Sequence, residues 1–364
     1  AFQDVNNYET IFEKDWKEGD VFKQEELAQT LERIRDFGKD GFYKGETANF
    51  LVNYITELGG IITHEDLEKY QAVWRDPISF TYKNHTITTM PLPSSGGICL
   101  AQILKSIEPY DVSKYQHNST NYVQLITEAE RRSYADRAHY LGDADFVKVP
   151  LDSLIDQNYI NNRMQNFSWD KATPSSEVSQ GNILGYESDQ TTHYSIVDQF
   201  GNAVSVTTTL NTGYGSKVVV KGAGFILNNE MDDFSSKPGV PNVYGLVGTK
   251  ANAIAAEKRM LSSMTPTIVE KDGELKMVVG TPGGSTIITS VLQNILNVIE
   301  YDMGMQESVN QPRFHHQWLP DQILMEPNGF DEKTKAKLNS LGYKILERNS
   351  LIIGRVDAIL VLPD

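Results

Sequence analysis

The feature that most constrains this chain is a change of texture at residue 190. Residues 170–190 are polar and rich in Ser, Gly and Pro, the composition of a surface loop. Directly after them the chain alternates. Residues 191–198 read TTHYSIVD and residues 203–210 read AVSVTTTL, with the turn residues Gln199-Phe200-Gly201-Asn202 between. That pattern predicts a β-hairpin whose first strand starts where an exposed loop ends. Such a loop can be nicked or rearranged without breaking a core.

Upstream, the periods are helical. Residues 24–37 carry Leu27, Leu31 and Ile34 on one side and meet Gly38 as a stop. Residues 47–58 end at Gly59-Gly60, and Thr63 with Asp66 resembles a capping box opening a helix over 65–70. Residues 78–89 read as one extended piece, and Leu92-Pro93-Ser94-Ser95-Gly96-Gly97 breaks the chain. Helices are predicted over 98–107, 121–140 (amphipathic) and 156–167. Downstream of the hairpin, 218–227 reads as a strand region. Residues 267–270 and 275–280 form a second hairpin around Lys271-Asp272-Gly273. A long apolar helix over 285–301, a short one over 305–310, a helix over 331–341 and strands over 344–347 and 355–361 complete the reading. Strands in the middle with helices before and after indicate a layered α+β sandwich.

With 364 residues the chain is long enough for about two domains or one large one. The net charge of −15 argues against a general nucleic-acid binder, which needs a basic face for phosphates. Cys99 is the only cysteine, so no intramolecular disulfide forms, and no apolar run spans a bilayer.

Four groups could carry chemistry. Thr191 opens a strand after an exposed loop. If it became a chain terminus, its α-amine, with an ordinary pKa near ~8, could serve as base for its own hydroxyl. Gly280-Thr281-Pro282-Gly283-Gly284-Ser285 lies between a strand and a helix. Its amides suit a phosphate or a developing oxyanion, or the stretch is a tight turn. Ser262-Ser263 could bind a carboxylate or form a Ser turn. Asn228-Asn229-Glu230-Met231-Asp232-Asp233-Phe234 could receive an amino group or be a solvated loop, and it lacks calcium-loop spacing. The histidines, His193, His315 and His316, show no metal-ligand spacing and read as packed or hydrogen-bonded groups. Cys99 reads as a quiet buried thiol.

The order of these groups resembles one family. Gln190-Thr191-Thr192-His193-Tyr194-Ser195, Thr209-Leu210-Asn211, the 228–234 acidic stretch, 237–245 (KPGVPNVYG), Leu261-Ser262-Ser263-Met264, Pro282-Gly283-Gly284-Ser285 and 312–320 (PRFHHQWLP) together resemble the small-subunit core of γ-glutamyltransferases. Pro93-Ser94-Ser95-Gly96-Gly97 and Tyr134-Ala135-Asp136-Arg137 resemble the same family's large subunit.

The resemblance implies a four-layer αββα N-terminal nucleophile hydrolase fold. It also implies autocatalytic cleavage between Gln190 and Thr191 into an associated heterodimer of residues 1–190 and 191–364. It makes Thr191 the nucleophile with its own amine as base, and Thr209 the residue that orients it. Gly283 and Gly284 become the oxyanion hole. Asn211, Glu230 and Asp233 hold the substrate α-amine, Ser262 and Ser263 hold its α-carboxylate, and Tyr244 lies on a lid. The implied chemistry is ping-pong transfer of a γ-glutamyl group, from glutathione or another γ-glutamyl compound, to water, an amino acid or a dipeptide, with no metal or organic cofactor. It also implies export to the periplasm or medium. Nothing in residues 1–18 matches the family's N-terminal stretch with its carboxylate-clamping arginine, and the family's Gly- and Asp-rich tail is not matched either, so a shortened chain is expected. The alternative readings are a cephalosporin acylase or poly-γ-glutamate processing enzyme on the same fold, and a non-catalytic fragment.

Overall fold

The computed structural model describes residues 1–178, 191–235, 237, 239–240, 242, 246–347 and 352–362. The chain forms two compact units, one of residues 1–75 with 210–229 and one of residues 76–209 with 230–364.

The first unit holds helices α1 (Glu25–Phe37), α2 (Asp40–Tyr43), α3 (Gly45–Glu57) and α4 (His64–Lys69). Gly38 at φ +58° ends α1, and reciprocal Thr63 and Asp66 hydrogen bonds box the start of α4, as the sequence predicts. The predicted face of α1 is corrected. Leu31 is 56% exposed, whereas Thr30 is buried and donates to the Ala223 carbonyl at 2.8 Å. The expected strand over 218–227 is a turn instead, with a single bridge between Val219 and Ile226. Gly222 and Gly224 have positive φ there, and a Cβ on Gly224 would lie 2.5 Å from the Leu27 amide. Val220 and Ala223 from this turn pack with Leu51, Phe42, Phe50 and Phe225 as a small core.

The second unit is built on an antiparallel sheet ordered β1 (Ile78–Tyr82), β2 (His85–Thr89), β5 (Thr267–Lys271), β6 (Glu274–Gly280) and β10 (Asp357–Leu360). The extended piece read over 78–89 is therefore a hairpin. Its turn at Lys83-Asn84 is made by Lys83 at φ +50°, a position where sequence signals favour glycine or asparagine. The 267–280 hairpin stands as predicted, with Asp272 and Gly273 both at positive φ.

On one side of the sheet lie α5 (Gly96–Ile107), α6 (Thr120–Tyr140), α7 (Leu151–Leu154), α8 (Gln157–Met164), α9 (Thr286–Tyr301), α10 (Met305–Asn310) and α11 (Glu332–Ser340). They share one large apolar core with the sheet, including Ile78, Phe80, Ile87, Ile98, Ile103, Val269, Met277, Ile287 and Ile295. The second hairpin, β3 (Thr192–Val197) with β4 (Ala203–Thr208), packs on β6 and β10. Ser205 Oγ donates to the Val279 carbonyl at 3.2 Å, and the Ser195 amide donates to Asp357 at 2.8 Å. Helices, sheet and hairpin thus stack in successive layers, as the α+β sandwich requires. A small sheet of β7 (Phe314–His315), β8 (Ile323–Met325) and β9 (Ile345–Glu347) completes the unit. Strands of two and three residues are too short to show a period, and β7 and β8 were not anticipated.

Helix α6 corrects another expectation. It is not amphipathic, since residues 122–138 are all buried despite six charged residues. Four of them, Glu128, Arg131, Arg132 and Asp136, are ion-paired inside. Glu128 pairs with Arg132 at 2.6 Å and accepts from the Tyr343 hydroxyl at 2.8 Å, and Asp136 pairs with Arg163 at 3.0 Å. Buried ions persist only when paired and hydrogen-bonded in this way. No helix among the described residues is long and apolar enough to cross a membrane.

Candidate active site

The β3–β4 register places Thr192 opposite Thr208, so Thr191 and Thr209 face each other one step further on. Their hydroxyls meet, with Thr191 Oγ1 donating to Thr209 Oγ1 at 3.4 Å. Thr191 is half-buried and lines an open cavity of about 500 Å³ together with His193, Pro282, Arg313, Gly354 and Arg355. That size suits a small-molecule site.

Three features shape the cavity. The end of β6 approaches β3 so closely that a Cβ on Gly280 would lie 2.1 Å from the His193 ring. His193 is held between Thr207 Oγ1 at 2.8 Å and Ser195 Oγ at 3.2 Å, and burial pushes its pKa down to about 4. It is a packed, neutral histidine, as is His316, whose pKa burial also lowers to about 4, and His315 is packed between Thr289 and Gln317.

The loop from Gly280 to α9 is the second feature. Gly283 has φ +141° and Gly284 φ +54°, conformations that glycine adopts at least cost. The Gly283 carbonyl is tied down by the Thr286 amide at 3.0 Å and the Thr286 hydroxyl at 2.7 Å. The Gly283 and Gly284 N–H groups donate to no partner among the described residues and precede the N-terminus of a 16-residue helix. Two unspent amides at a helix start attract negative charge. Pro282, next to Gly283, lines the same cavity as Thr191.

The third feature is the wall at residues 352–354. Arg313 donates to the Ile353 carbonyl at 2.5 Å and pairs with Glu326 at 3.3 Å, while Glu326 accepts from the Ile353 amide at 2.7 Å. A Cβ on Gly354 would lie 2.7 Å from Thr281 Oγ1, so this wall presses on the glycine loop.

Elsewhere in the second unit, Glu230 and Asp233 share one 3-10 turn. Burial, reinforced by the charge of Asp233, pushes the Glu230 carboxyl up to about 8. Burial also raises Asp233 to about 7, against the opposing field of Arg137. A partly desolvated acidic pair favours a cationic guest.

Ser262 and Ser263 lie on a segment zipped to the Pro93–Gly97 break. The Ser95 amide donates to the Ser262 carbonyl at 2.9 Å, the Ser262 amide to the Pro93 carbonyl at 2.9 Å, and Ser94 Oγ to the Met264 carbonyl at 2.6 Å. A Cβ on Gly96 would lie 2.5 Å from the Met264 carbonyl, which is why the break carries glycine.

Of the remaining expected residues, Asn211 belongs to the first unit. It is buried at φ +79° and donates to the Asn229 carbonyl at 3.1 Å. Tyr244 and Gln190 lie outside the described residues. Cys99 is fully buried, and burial pushes its thiol up to about 11, as expected of a quiet cysteine. Sequence reasoning missed Arg137 as a site residue. It donates to Ser263 Oγ at 3.1 Å, and the only sequence sign of it was its place in Tyr134-Ala135-Asp136-Arg137.

Residues 3–364 match the family model described as Gamma-glutamyltranspeptidase. The chain is 49% identical over 361 residues to a glutathione hydrolase proenzyme of Escherichia coli (strain K12), covering 98% of this chain and 62% of that protein. It is 34% identical to the Acylase ACY 1 proenzyme of Pseudomonas sp. (strain V22), covering 94% of this chain and 58% of that one. The chain thus spans about three fifths of these relatives. Its fold is similar to the crystal structure of cephalosporin acylase from Bacillus halodurans, with TM-score 0.81 and 23% identity over 95% of this chain and 60% of that one. That likeness shows a shared fold, and the match over almost every residue establishes the lineage. The chain belongs to the γ-glutamyltranspeptidase family.

Proposed function

We propose that this chain carries the nucleophilic centre of a γ-glutamyl acyl transferase and hydrolase. The observation that carries the reading is Thr191, hydrogen-bonded to Thr209 on a cavity whose wall leads into the unspent amides of Gly283 and Gly284.

Maturation comes first. The Thr191 hydroxyl attacks the Gln190 carbonyl, the Gln190–Thr191 C–N bond breaks, and an ester forms. Water then cleaves the ester, leaving a Gln190 carboxylate, a free Thr191 hydroxyl and a free Thr191 amine. Residues 1–190 and 191–364 remain associated as two pieces. In turnover the amine takes the hydroxyl proton as Thr191 attacks the substrate γ-carbonyl. Gly283 and Gly284 receive the oxyanion, a role in which each donor contributes ~3 kcal/mol. The amine passes the proton to the leaving amine. Water or an acceptor amine then releases the γ-glutamyl group.

Glutathione or another γ-glutamyl compound is the donor, and an amino acid or dipeptide the acceptor. Glu230 and Asp233 hold the donor's ammonium, and Ser262 and Ser263 its carboxylate. The raised carboxyls of Glu230 and Asp233 support a cationic head group, which favours γ-glutamyl donors over a glutaryl side chain, which carries no ammonium. The family resemblance supports a periplasmic or extracellular site of action.

The test is turnover of L-γ-glutamyl-4-nitroanilide against a glutaryl β-lactam amide. Selective release of nitroaniline supports the reading. Selective hydrolysis of the β-lactam amide, or of neither, sinks it.

A further inference from the structure

Arg137 is a guanidinium buried to 4% exposure, and it makes no ion pair among the described residues. On the same helix Glu128, Arg131, Arg132 and Asp136 do make ion pairs. Its Nε donates to Ser95 Oγ at 2.9 Å and its Nη2 to Ser263 Oγ at 3.1 Å. Ser95 Oγ in turn donates to the Ser262 carbonyl at 2.7 Å. Arg137 also lines a narrow cavity with Asp233, Asn242, Leu246, Asn252 and Leu261.

A guanidinium only donates, so Ser263 Oγ must accept from it, and the Ser263 hydroxyl hydrogen must point elsewhere. That hydrogen meets no acceptor among the described residues. Ser262 Oγ likewise accepts from the Met264 amide at 3.1 Å, and a backbone N–H also only donates. Each hydroxyl therefore accepts one hydrogen bond from a group that can only donate, and its own hydrogen is left to give. A pair of hydroxyls poised as donors beside an unmatched buried cation suits an anion and repels a cation.

We propose that Arg137 is the positioning residue of the carboxylate end of the pocket, selecting donors whose head group carries an α-carboxylate by fixing Ser263 as a donor and supplying the charge behind it. This rests on the reading that Ser262 and Ser263 face the substrate head group. Burial lowers the Arg137 pKa, a strain that a bound carboxylate relieves.

The test compares binding of L-glutamate and 4-aminobutyrate, which differ only in the α-carboxylate, by calorimetry on the wild type, Arg137→Met and Arg137→Lys. KM and kcat for L-γ-glutamyl-4-nitroanilide are measured alongside. Arg137→Met loses the preference for glutamate by about 10- to 100-fold, the scale of a lost charge-assisted hydrogen bond. KM rises by a similar factor with kcat changed far less, and Arg137→Lys recovers part of the preference. A merely structural role would weaken both ligands equally. Should Arg137→Met fail to fold, a double-mutant cycle of Arg137→Lys with Ser263→Ala carries the test, and additive effects overturn the proposal. An unchanged glutamate preference in the variants, or none in the wild type, also overturns it. If the wild type shows an Arg137-dependent preference yet turns over no γ-glutamyl anilide, the transferase reading fails while the assignment of Arg137 stands.

Discussion

The side-chain oxygens of Thr191 and Thr209 lie 3.4 Å apart at the end of the β3–β4 hairpin away from its turn. The contact follows from register, because every cross-strand pair from Val197–Ala203 to Thr192–Thr208 leads to it. A one-residue slip would turn Thr191 to the opposite face. Thr209→Ala therefore lowers kcat by about 10- to 100-fold, the effect of a reacting group held loosely. Thr209→Ser, which keeps the hydroxyl, retains most of it. Steady-state kinetics on both variants checks this, and equal loss in the two would point to packing.

Gly283 combines φ +141° with a Thr286 hydroxyl 2.5 Å from where a Cβ would sit. Gly283→Ala must shift the loop that carries both unspent amides. The expected result is a fall of about 10²- to 10³-fold in kcat, as for loss of an oxyanion donor, with KM changed little. A melting curve guards against global unfolding as the cause.

The Glu230 and Asp233 carboxyls are raised to about 8 and about 7. Folded-state pKa values above the unfolded ones mean that the folded chain binds more protons between roughly pH 4 and 8. This pair's contribution to stability is thus greatest at acid pH and falls as pH rises through that window. Glu230→Gln should raise Tm at pH 8.5 and leave it little changed at pH 4. Binding runs the other way, since an ammonium needs ionised carboxylates. KM for a γ-glutamyl donor falls as pH rises from 6 to 8.5 in the wild type, and this dependence shrinks in Asp233→Asn.

Residues on either side of the 190/191 junction are clamped together. The Ser175 amide donates to Asp321 at 2.7 Å, Ser175 Oγ donates to the Trp318 carbonyl at 2.6 Å, and Trp318 Nε1 donates to the Ser175 carbonyl at 3.0 Å. Arg131 reaches both Ser175 and Asp321. Burial opposes ionisation of Asp321, but hydrogen bonding from His316 and the Arg131 charge outweigh it and hold the carboxyl below the usual range. Its stabilising contribution is present above the unfolded carboxylate pKa and is lost as pH falls through the lower folded value. Asp321→Ala leaves Arg131 buried without this partner. The expected cost is about 1–3 kcal/mol, reduced from the fully buried case because the Asp321 side chain is 38% exposed. Denaturant melts at pH 7 measure the cost, and it should narrow at pH 2.

Much of this was legible from local pattern. The β3–β4 hairpin, the 267–280 hairpin and the α9 helix announce themselves by period and turn residues, and with them Thr191, Thr209 and the Gly283-Gly284 loop. What stayed hidden depends on tertiary contact. Helix α6 reads as amphipathic because its charges look like a solvated face, whereas Glu128, Asp136 and Arg132 are matched by partners 23 to 215 residues away or on the same helix. Arg137 is invisible for the same reason. Its meaning comes from Ser263, 126 residues further on. The turn at Lys83-Asn84 was missed because tertiary packing of β1 and β2 forces a lysine into a left-handed conformation that its own chemistry does not advertise.

The central claim is that Thr191 is a nucleophile unmasked by cleavage. The most direct measurement is the intact mass of the purified protein under denaturing conditions, beside Thr191→Ala. The account predicts two species for the wild type, residues 1–190 and a piece whose N-terminal residue is Thr191, and one uncut species for Thr191→Ala. A single uncut wild-type species, or cleavage at another bond, would contradict it, because Thr191 would then lack the free amine its chemistry requires.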